Sequence, residues 1–355
     1  MRTLDIAVYP GDGIGPEVTD EAVRVLQAVS KLDGSFALNL TMLPWGFSYW
    51  EQHGHVVPRD FIDILRPFDA ILLGAVGWPE KLPDHITLAP LVEIRQTFDQ
   101  YACVRPAKLL PGVKSVLADK GPQHIDFVVI RENSEGEYVN IGGRFKQGQA
   151  GEVAVQTASH TRRGVERILR YGFAMAQRRR RHLTMITKSN AQRFSYVMWD
   201  EIFEELAPEF PDVEVDRQHC DAAVMNMVRR PEHFDVIVAS NLFGDLLTDL
   251  GGIIGGGLGL APSTNTNPDR TAPSMFEPVH GSAPDIAGQG VANPIAAILS
   301  AAMMLDHLEL NDAAERIRRA VERTMASGSH TIDLGGALTT REAASAVLEH
   351  VESGV

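Results

Sequence analysis

Residues 241–263 read NLFGDLLTDLGGIIGGGLGLAPS. The apolar residues Leu246, Leu247, Leu250, Ile253 and Ile254 predict a helix, and Asp245 and Asp249 stand four residues apart within it. At that spacing two side chains lie one above the other on one helix face. Two like charges so placed destabilise an isolated helix by ~0.2–0.5 kcal/mol. A bound cation removes that penalty, and hard carboxylate oxygens suit Mg²⁺ or Mn²⁺. The plain alternative is a solvated acidic pair near a helix N-terminus, where negative charge complements the dipole. Asp221 follows the strand-like VEVDRQH and is placed to be a third carboxylate.

Cations complement these anions. Arg95 follows the apolar run in LAPLVEIRQTFDQY, Arg105 sits in YACVRPAKLL, and Arg131 ends the strand-like DFVVI. Each alone reads as a surface ion-pair partner. Together they can form a fork for carboxylates, because guanidinium binds carboxylate in a bidentate way. That points to a small polyanionic substrate. Lys188 directly follows LTMIT and Tyr138 lies in ENSEGEYV. Either serves as a general acid or base if its surroundings shift its pKa; alone, each reads as structural.

The elements that must position these groups alternate between strand and helix. Residues 4–9, 36–43, 69–77, 126–133, 183–188, 213–219 and 234–240 read as strands. Helices are expected near residues 17–30, 59–66, 162–180, 190–206 and 241–254, with a mostly helical chain after Asn293. This alternation predicts α/β layers. Residues 140–158 break the rhythm, and their glycines and β-formers predict a hairpin or arm. The early PGDGIGPEV resembles a dinucleotide fingerprint, but Pro16 stands where the third glycine belongs, so the standard Rossmann reading fails. A helix N-terminus suited to anions, or a plain turn, remains.

Composition narrows the function classes. Of 355 residues, 44% are hydrophobic and 22% charged, an ordinary globular balance whose length suggests two lobes. A net charge of -13 disfavours nucleic acid and anionic membrane as partners. The run of arginines at 178–181 reads as the solvated end of a helix. No apolar run reaches transmembrane length and no signal-peptide pattern opens the sequence. Two cysteines, Cys103 and Cys220, make no disulfide framework, so the expectation is a reducing cytoplasm.

GDGIGPEV, the three arginines, RENSEGEY, TKSN, SNLFGDLLTDL and FEPVHGSAPDIAGQGVANP occur in that order. The set resembles the β-decarboxylating dehydrogenases, the family of isocitrate, isopropylmalate, homoisocitrate, tartrate and D-malate dehydrogenases, over essentially the whole chain. The resemblance implies an isopropylmalate-dehydrogenase-like open α/β sheet, non-Rossmann, with two lobes and an intersubunit arm. Residues 1–100 plus 257–355 would form the cofactor lobe, and 101–256 the dimerisation and metal/substrate lobe. It further implies a homodimer with shared active sites. Arg95, Arg105 and Arg131 would hold substrate carboxylates, and Asp245 and Asp249 a divalent metal, with Asp221 supplied by the partner. Tyr138 would protonate the enol, and Lys188, also from the partner, would assist deprotonation of the hydroxyl. His280, Gly281, Ser282, Ala283, Asp285, Ile286 and Asn293 would bind the cofactor.

Relatives that use NADP typically carry Lys-Tyr where Asp285 and Ile286 stand. A carboxylate accepts hydrogen bonds from a free ribose diol and repels a 2′-phosphate, so NAD is expected. Mg²⁺ or Mn²⁺ completes the set, with K⁺ as an accessory cation. The strings DHITL and FDQY resemble the tartrate/D-malate branch, although Ala89 and Cys103 replace its usual tryptophan and asparagine. The expected reaction is oxidative decarboxylation of D-malate or tartrate, a small dicarboxylate 2-hydroxy acid. The alternatives are a 3-isopropylmalate or other 3-alkylmalate dehydrogenase and a regulatory subunit of a hetero-oligomer. Leu88, Leu91 and Val92 are expected to share a helix face with Arg95 and to border the far end of the substrate.

Overall fold

A computed structural model describes residues 2–354. The chain opens with β1 (Arg2–Gly11), α1 (Gly15–Asp33), β2 (Phe36–Met42), α2 (Phe47–His53), α3 (Phe61–Leu65), β3 (Ala70–Ala75), α4 (Asp84–Thr87) and α5 (Ala89–Thr97). It continues with β4 (Ala102–Lys108), β5 (Asp126–Glu132), β6 (Gly142–Phe145), β7 (Val153–Gln156), α6 (Arg162–Gln177), β8 (His182–Thr187) and α7 (Ser195–Leu206). Then come β9 (Glu214–His219), α8 (Cys220–Arg229), β10 (Val236–Ala239), α9 (Asn241–Ile254), β11 (Pro262–Thr266) and β12 (Ser274–Pro278). Three helices close it: α10 (Ile295–His307), α11 (Asn311–Ala326) and α12 (Thr340–Ser353).

Ten strands form one sheet in the order β2-β1-β3-β12-β11-β4-β5-β10-β8-β9. Both flanks are parallel, and only β12-β11, β11-β4 and β4-β5 pair antiparallel. The inner parallel strands β1, β3, β5, β8 and β10 carry apolar runs because both of their faces are covered. On β1, Leu4, Ile6 and Val8 face one cluster with α1, α10, α11 and α12, while Ala7 and Tyr9 face another with Trp45, Phe61 and Phe98. A third cluster joins β5, β8 and β10 to α6 and α7 through Val128, Phe173, Leu183, Trp199 and Val238. The expected α/β layering is therefore present. The expected hairpin is β6 paired with β7, exposed along its whole length. Among the described residues, no helix is long and apolar enough to cross a membrane.

Three local details refine the expectations. The arginine run closes α6 and is mostly exposed, as expected, but two of its members also make specific contacts. Arg179 bridges Asp126 and Asp235, and Arg180 donates to the carbonyls of Asp126 and Phe234, clamping the starts of β5 and β10. The helix near residue 190 begins later, at Ser195, because the N–H groups of Ala191 and Gln192 close a turn on the Lys188 carbonyl. Leu91 stands one turn before Arg95 in α5 but turns into the core. The helix breaks at Leu88 between α4 and α5, and Leu91 enters the core with Ile94 and Phe98 while Leu88 stays exposed.

Candidate active site

Most of the expected charged residues meet at the first turns of α9. Asn241 opens this helix, and its side-chain oxygen accepts from Arg131 Nε at 2.9 Å and Nη2 at 2.6 Å. The Asn241 amide also donates to the Glu135 carbonyl at 2.9 Å, tying the helix to the segment after β5. Arg131 lies so close to α9 that a Cβ at Gly244 would stand 2.6 Å from its Cβ and Cγ. Glycine at 244 is required by that approach. Arg131 Nη1 pairs with Asp245 Oδ1, the oxygen that Arg105 Nη1 faces at 3.4 Å. Arg105 is anchored by Thr248 at 2.7 Å and Ser263 at 3.2 Å. Tyr138 donates to the other Asp245 oxygen at 3.1 Å, with its ring 5.3 Å below the Arg131 guanidinium.

Each titration follows from these contacts. Burial works to raise the Asp245 carboxyl, but Arg131, Arg105 and the Tyr138 hydroxyl outweigh it and hold the group below its ordinary range. Asp249 moves the other way, because burial and the neighbouring Asp245 charge both disfavour its anion. The helical stacking of like charges is thus expressed as a tension that a cation would relieve. Burial, then the Asp245 carboxylate, raise Tyr138 above its usual value, so its hydroxyl keeps its proton at neutral pH.

Arg95 approaches from α5 and pairs with Glu277 of β12 at 2.8 Å. Asn265 of β11 donates to the same carboxylate oxygen at 2.7 Å. Lys188 and Asp221 lie apart from this cluster. They pair with each other at 2.7 Å, at the end of β8 and the start of α8, and face solvent.

The expected cofactor residues form one loop. Ser282 accepts the Ile14 N–H at 2.7 Å, and a Cβ at Gly13 would stand 1.9 Å from its carbonyl. The early glycine turn therefore seats the 280s loop. Asp12 supports that turn, accepting from Phe47 at 2.6 Å and Gly77 at 2.8 Å. Glu17 of α1 accepts from the N–H groups of Gly288 and Gly290. His280 Nδ1 lies 2.9 Å from the Gly281 carbonyl, and its sealed Nε2 has no partner among the described residues. Asn293 donates to Asp333 at 3.0 Å and accepts from Ile295, fixing the end of the loop. Ala283 holds a positive φ of 39°, and Asp285 and Ile286 follow it, Asp285 exposed and Ile286 half-buried. The supporting residues Asn241, Thr248, Ser263, Asn265 and Glu277 escape sequence reasoning. They are neutral or singly charged groups scattered over three elements.

The chain from residue 5 to 350 matches the family model described as isocitrate/isopropylmalate dehydrogenase. The chain belongs to this family. It is 51% identical over 349 residues to a probable tartrate dehydrogenase/decarboxylase of Agrobacterium vitis, covering 98% of this chain and 96% of that protein. It is 50% identical to the decarboxylating D-malate dehydrogenase of Escherichia coli K12, covering 98% of each. Among solved structures, the isocitrate dehydrogenase of Methylococcus capsulatus superposes with a TM-score of 0.88 at 37% identity, covering 99% of both chains. The fold and the class of enzyme, a decarboxylating dehydrogenase, match the expectation from the sequence.

Proposed function

We propose that the protein catalyses NAD-dependent, divalent-metal-dependent oxidative decarboxylation of D-malate or tartrate, D-malate giving pyruvate and CO₂. The observation that carries this reading is the junction at Asp245, where two buried guanidiniums and a protonated phenol converge on one carboxylate. The charges favour a dicarboxylate. Arg95, Arg105 and Arg131 balance Asp245, Asp249 and Glu277, and Lys188 balances Asp221. A divalent cation then leaves two positive charges, the complement of a dicarboxylate dianion.

The donor set fits the cation, since Asp245 and Asp249 offer hard oxygens on one face of α9. The loop fits a cofactor, since His280 Nε2 is a buried atom awaiting a partner. When bound, NAD supplies the hydride acceptor and the cation the Lewis acidity that decarboxylation of a β-keto acid needs. Arg105 and Arg131, now held on Asp245, would turn to the substrate carboxylates, with Arg95 as third clamp. Tyr138 holds the proton that the enol carbon must receive. Lys188 and Asp221 would reach the site of a second copy, Lys188 at the substrate hydroxyl and Asp221 at the cation.

The exposed apolar residues Met225 and Val228 of α8 and Leu246 and Ile253 of α9 support that dimer, because an apolar face of this kind marks an interface. The protruding β6-β7 hairpin would be the intersubunit arm. Residues 1–100 plus 257–355 would form the cofactor lobe and 101–256 the dimerisation lobe.

The named activities of the relatives favour D-malate or tartrate over the alternatives. The exposed Leu88, with small Ala89 beside it, favours 3-alkylmalate as second reading. A panel of D-malate, both tartrates and 3-isopropylmalate with NAD and Mn²⁺ tests the choice. D-malate or a tartrate should give the highest kcat/KM. A preference for 3-isopropylmalate of about tenfold, worth ~1.4 kcal/mol, would overturn it. Ala89→Trp should leave D-malate turnover intact.

A further inference from the structure

At the end of β8 opposite Lys188, three side chains from separate segments converge. His182 opens β8, Asp216 lies on the edge strand β9, and His233 ends the turn before β10. One potential ligand atom from each lies within 4.8 Å of the others. His233 Nε2 is 3.1 Å from an Asp216 oxygen, and the two imidazole rings stand 5.0 Å apart. The Gln218 amide nitrogen is 2.6 Å from Asp216 and 3.2 Å from His233 Nε2. The Gln218 amide nitrogen thus lies against both candidate ligand atoms. Asn226 donates to Gln218 Oε1 at 2.9 Å and holds that amide in place. The neighbouring Arg217 is already paired with Asp200 and Glu204. The cluster lines an open cleft of about 550 Å³.

We propose that His182, Asp216 and His233 form a second metal site, for a borderline divalent cation of the Zn²⁺ type. Two imidazoles and a carboxylate are the donors Zn²⁺ prefers, whereas Mg²⁺ keeps to oxygen. Tetrahedral Zn²⁺ with bonds of ~2.0–2.1 Å sets its ligand atoms ~3.3 Å apart. The His233–Asp216 separation is already close to that, and His182 needs only to close in. Water, or Gln218 Oε1 after its amide turns over, would take the fourth position. The cation would tie β8, which runs into Lys188, to β9, which runs into Asp221. Its role is structural, at the end of β8 away from Lys188, and it rests on none of the assignments at Asp245.

The test is Zn²⁺ titration of the tag-free, chelator-stripped Asp245→Asn protein, joined to X-ray absorption at the zinc edge. One Zn²⁺ per chain should bind, with two imidazole nitrogens at about 2.0–2.1 Å. The His182→Asn/His233→Asn double variant should lose that ion while its circular dichroism and Mg²⁺-supported turnover, measured with Asp245 intact, stay unchanged. Asp216→Asn should weaken binding and provides a milder second variant. An all-oxygen shell, no binding at micromolar Zn²⁺, or a stoichiometry indifferent to Asp216→Asn and to the double variant would overturn the proposal.

Discussion

Two regions carry the charged residues that the proposed reaction needs, and they are built in opposite ways. Around Asp245 every cation has a buried partner: Arg131 is 2% exposed and held by Asn241 and Asp245, and Arg105 by Thr248 and Ser263. At the start of α8, Asp221 is 64% exposed and pairs with the Lys188 ammonium. The first region is rigid because buried charges survive only when paired on all sides. The second has no such support within its own chain. The roles proposed for Lys188 and Asp221 therefore call for a surface that a second copy completes.

Substitutions can break this contrast. The largest loss is expected at Asp245→Asn, which removes a charged oxygen from the cation and the partner of two arginines. Turnover with Mg²⁺ or Mn²⁺ should fall by ~10²–10³-fold or more, the scale of one lost stabilising group. Unchanged metal dependence in steady-state assays would remove Asp245 from the site. Arg131→Met and Lys188→Met should both abolish most activity, yet differ in stability. The first leaves half-buried Asp245 and buried Asn241 without this donor and should cost ~1.5–3 kcal/mol in denaturant unfolding. The second should leave the melting temperature nearly unmoved. Equal destabilisation would show that Lys188 is as structural as Arg131.

Cofactor preference is the next, smaller effect. Asp285→Lys with Ile286→Tyr should shift the ratio of kcat/KM from NAD toward NADP, since repulsion of the 2′-phosphate is lost. A wild-type preference for NADP would defeat this part of the reading. The smallest effect lies remote from both regions. Burial, then the charge of Arg270, push His307 down to about 4. Its unfolded form takes up a proton near pH 6.5, so the protein gains stability from a neutral His307 above that pH and loses it as pH falls toward 4. His307→Asn should flatten this acid limb by ~1–2 kcal/mol in urea titrations between those pH values. An unchanged limb would assign the acid sensitivity to other groups.

The parallel flanks of the sheet were legible because β1, β3, β5, β8 and β10 are apolar runs bounded by turn residues. The central strands were not. β11 is PSTNT, and its Ser263, Thr264, Asn265 and Thr266 are buried polar residues without hydrophobic periodicity. β12 contains Glu277, and β4 carries Arg105 before Pro106. These strands supply the inner wall of the site, so the chemistry itself erased the strand signal there. Likewise Asp245 and Asp249 could be found from spacing and Tyr138 and Lys188 from ordered motifs. Asn241 and Glu277, which orient the arginines, are visible only once the chain is folded. Leu91 keeps its one-turn spacing from Arg95 within α5, but its burial with Ile94 and Phe98 was not legible from that spacing.

The central claim is that the two regions meet across a subunit boundary. Mixing Lys188→Met with Tyr138→Phe protein, after confirmed subunit exchange, tests it directly. Neither parent should be active. In each heterodimer one site would combine the intact Tyr138 of one chain with the intact Lys188 of the other, so random mixing should recover about a quarter of wild-type D-malate or tartrate turnover. Recovery at that level is the predicted result; turnover that stays at the level of the parents would contradict the shared site.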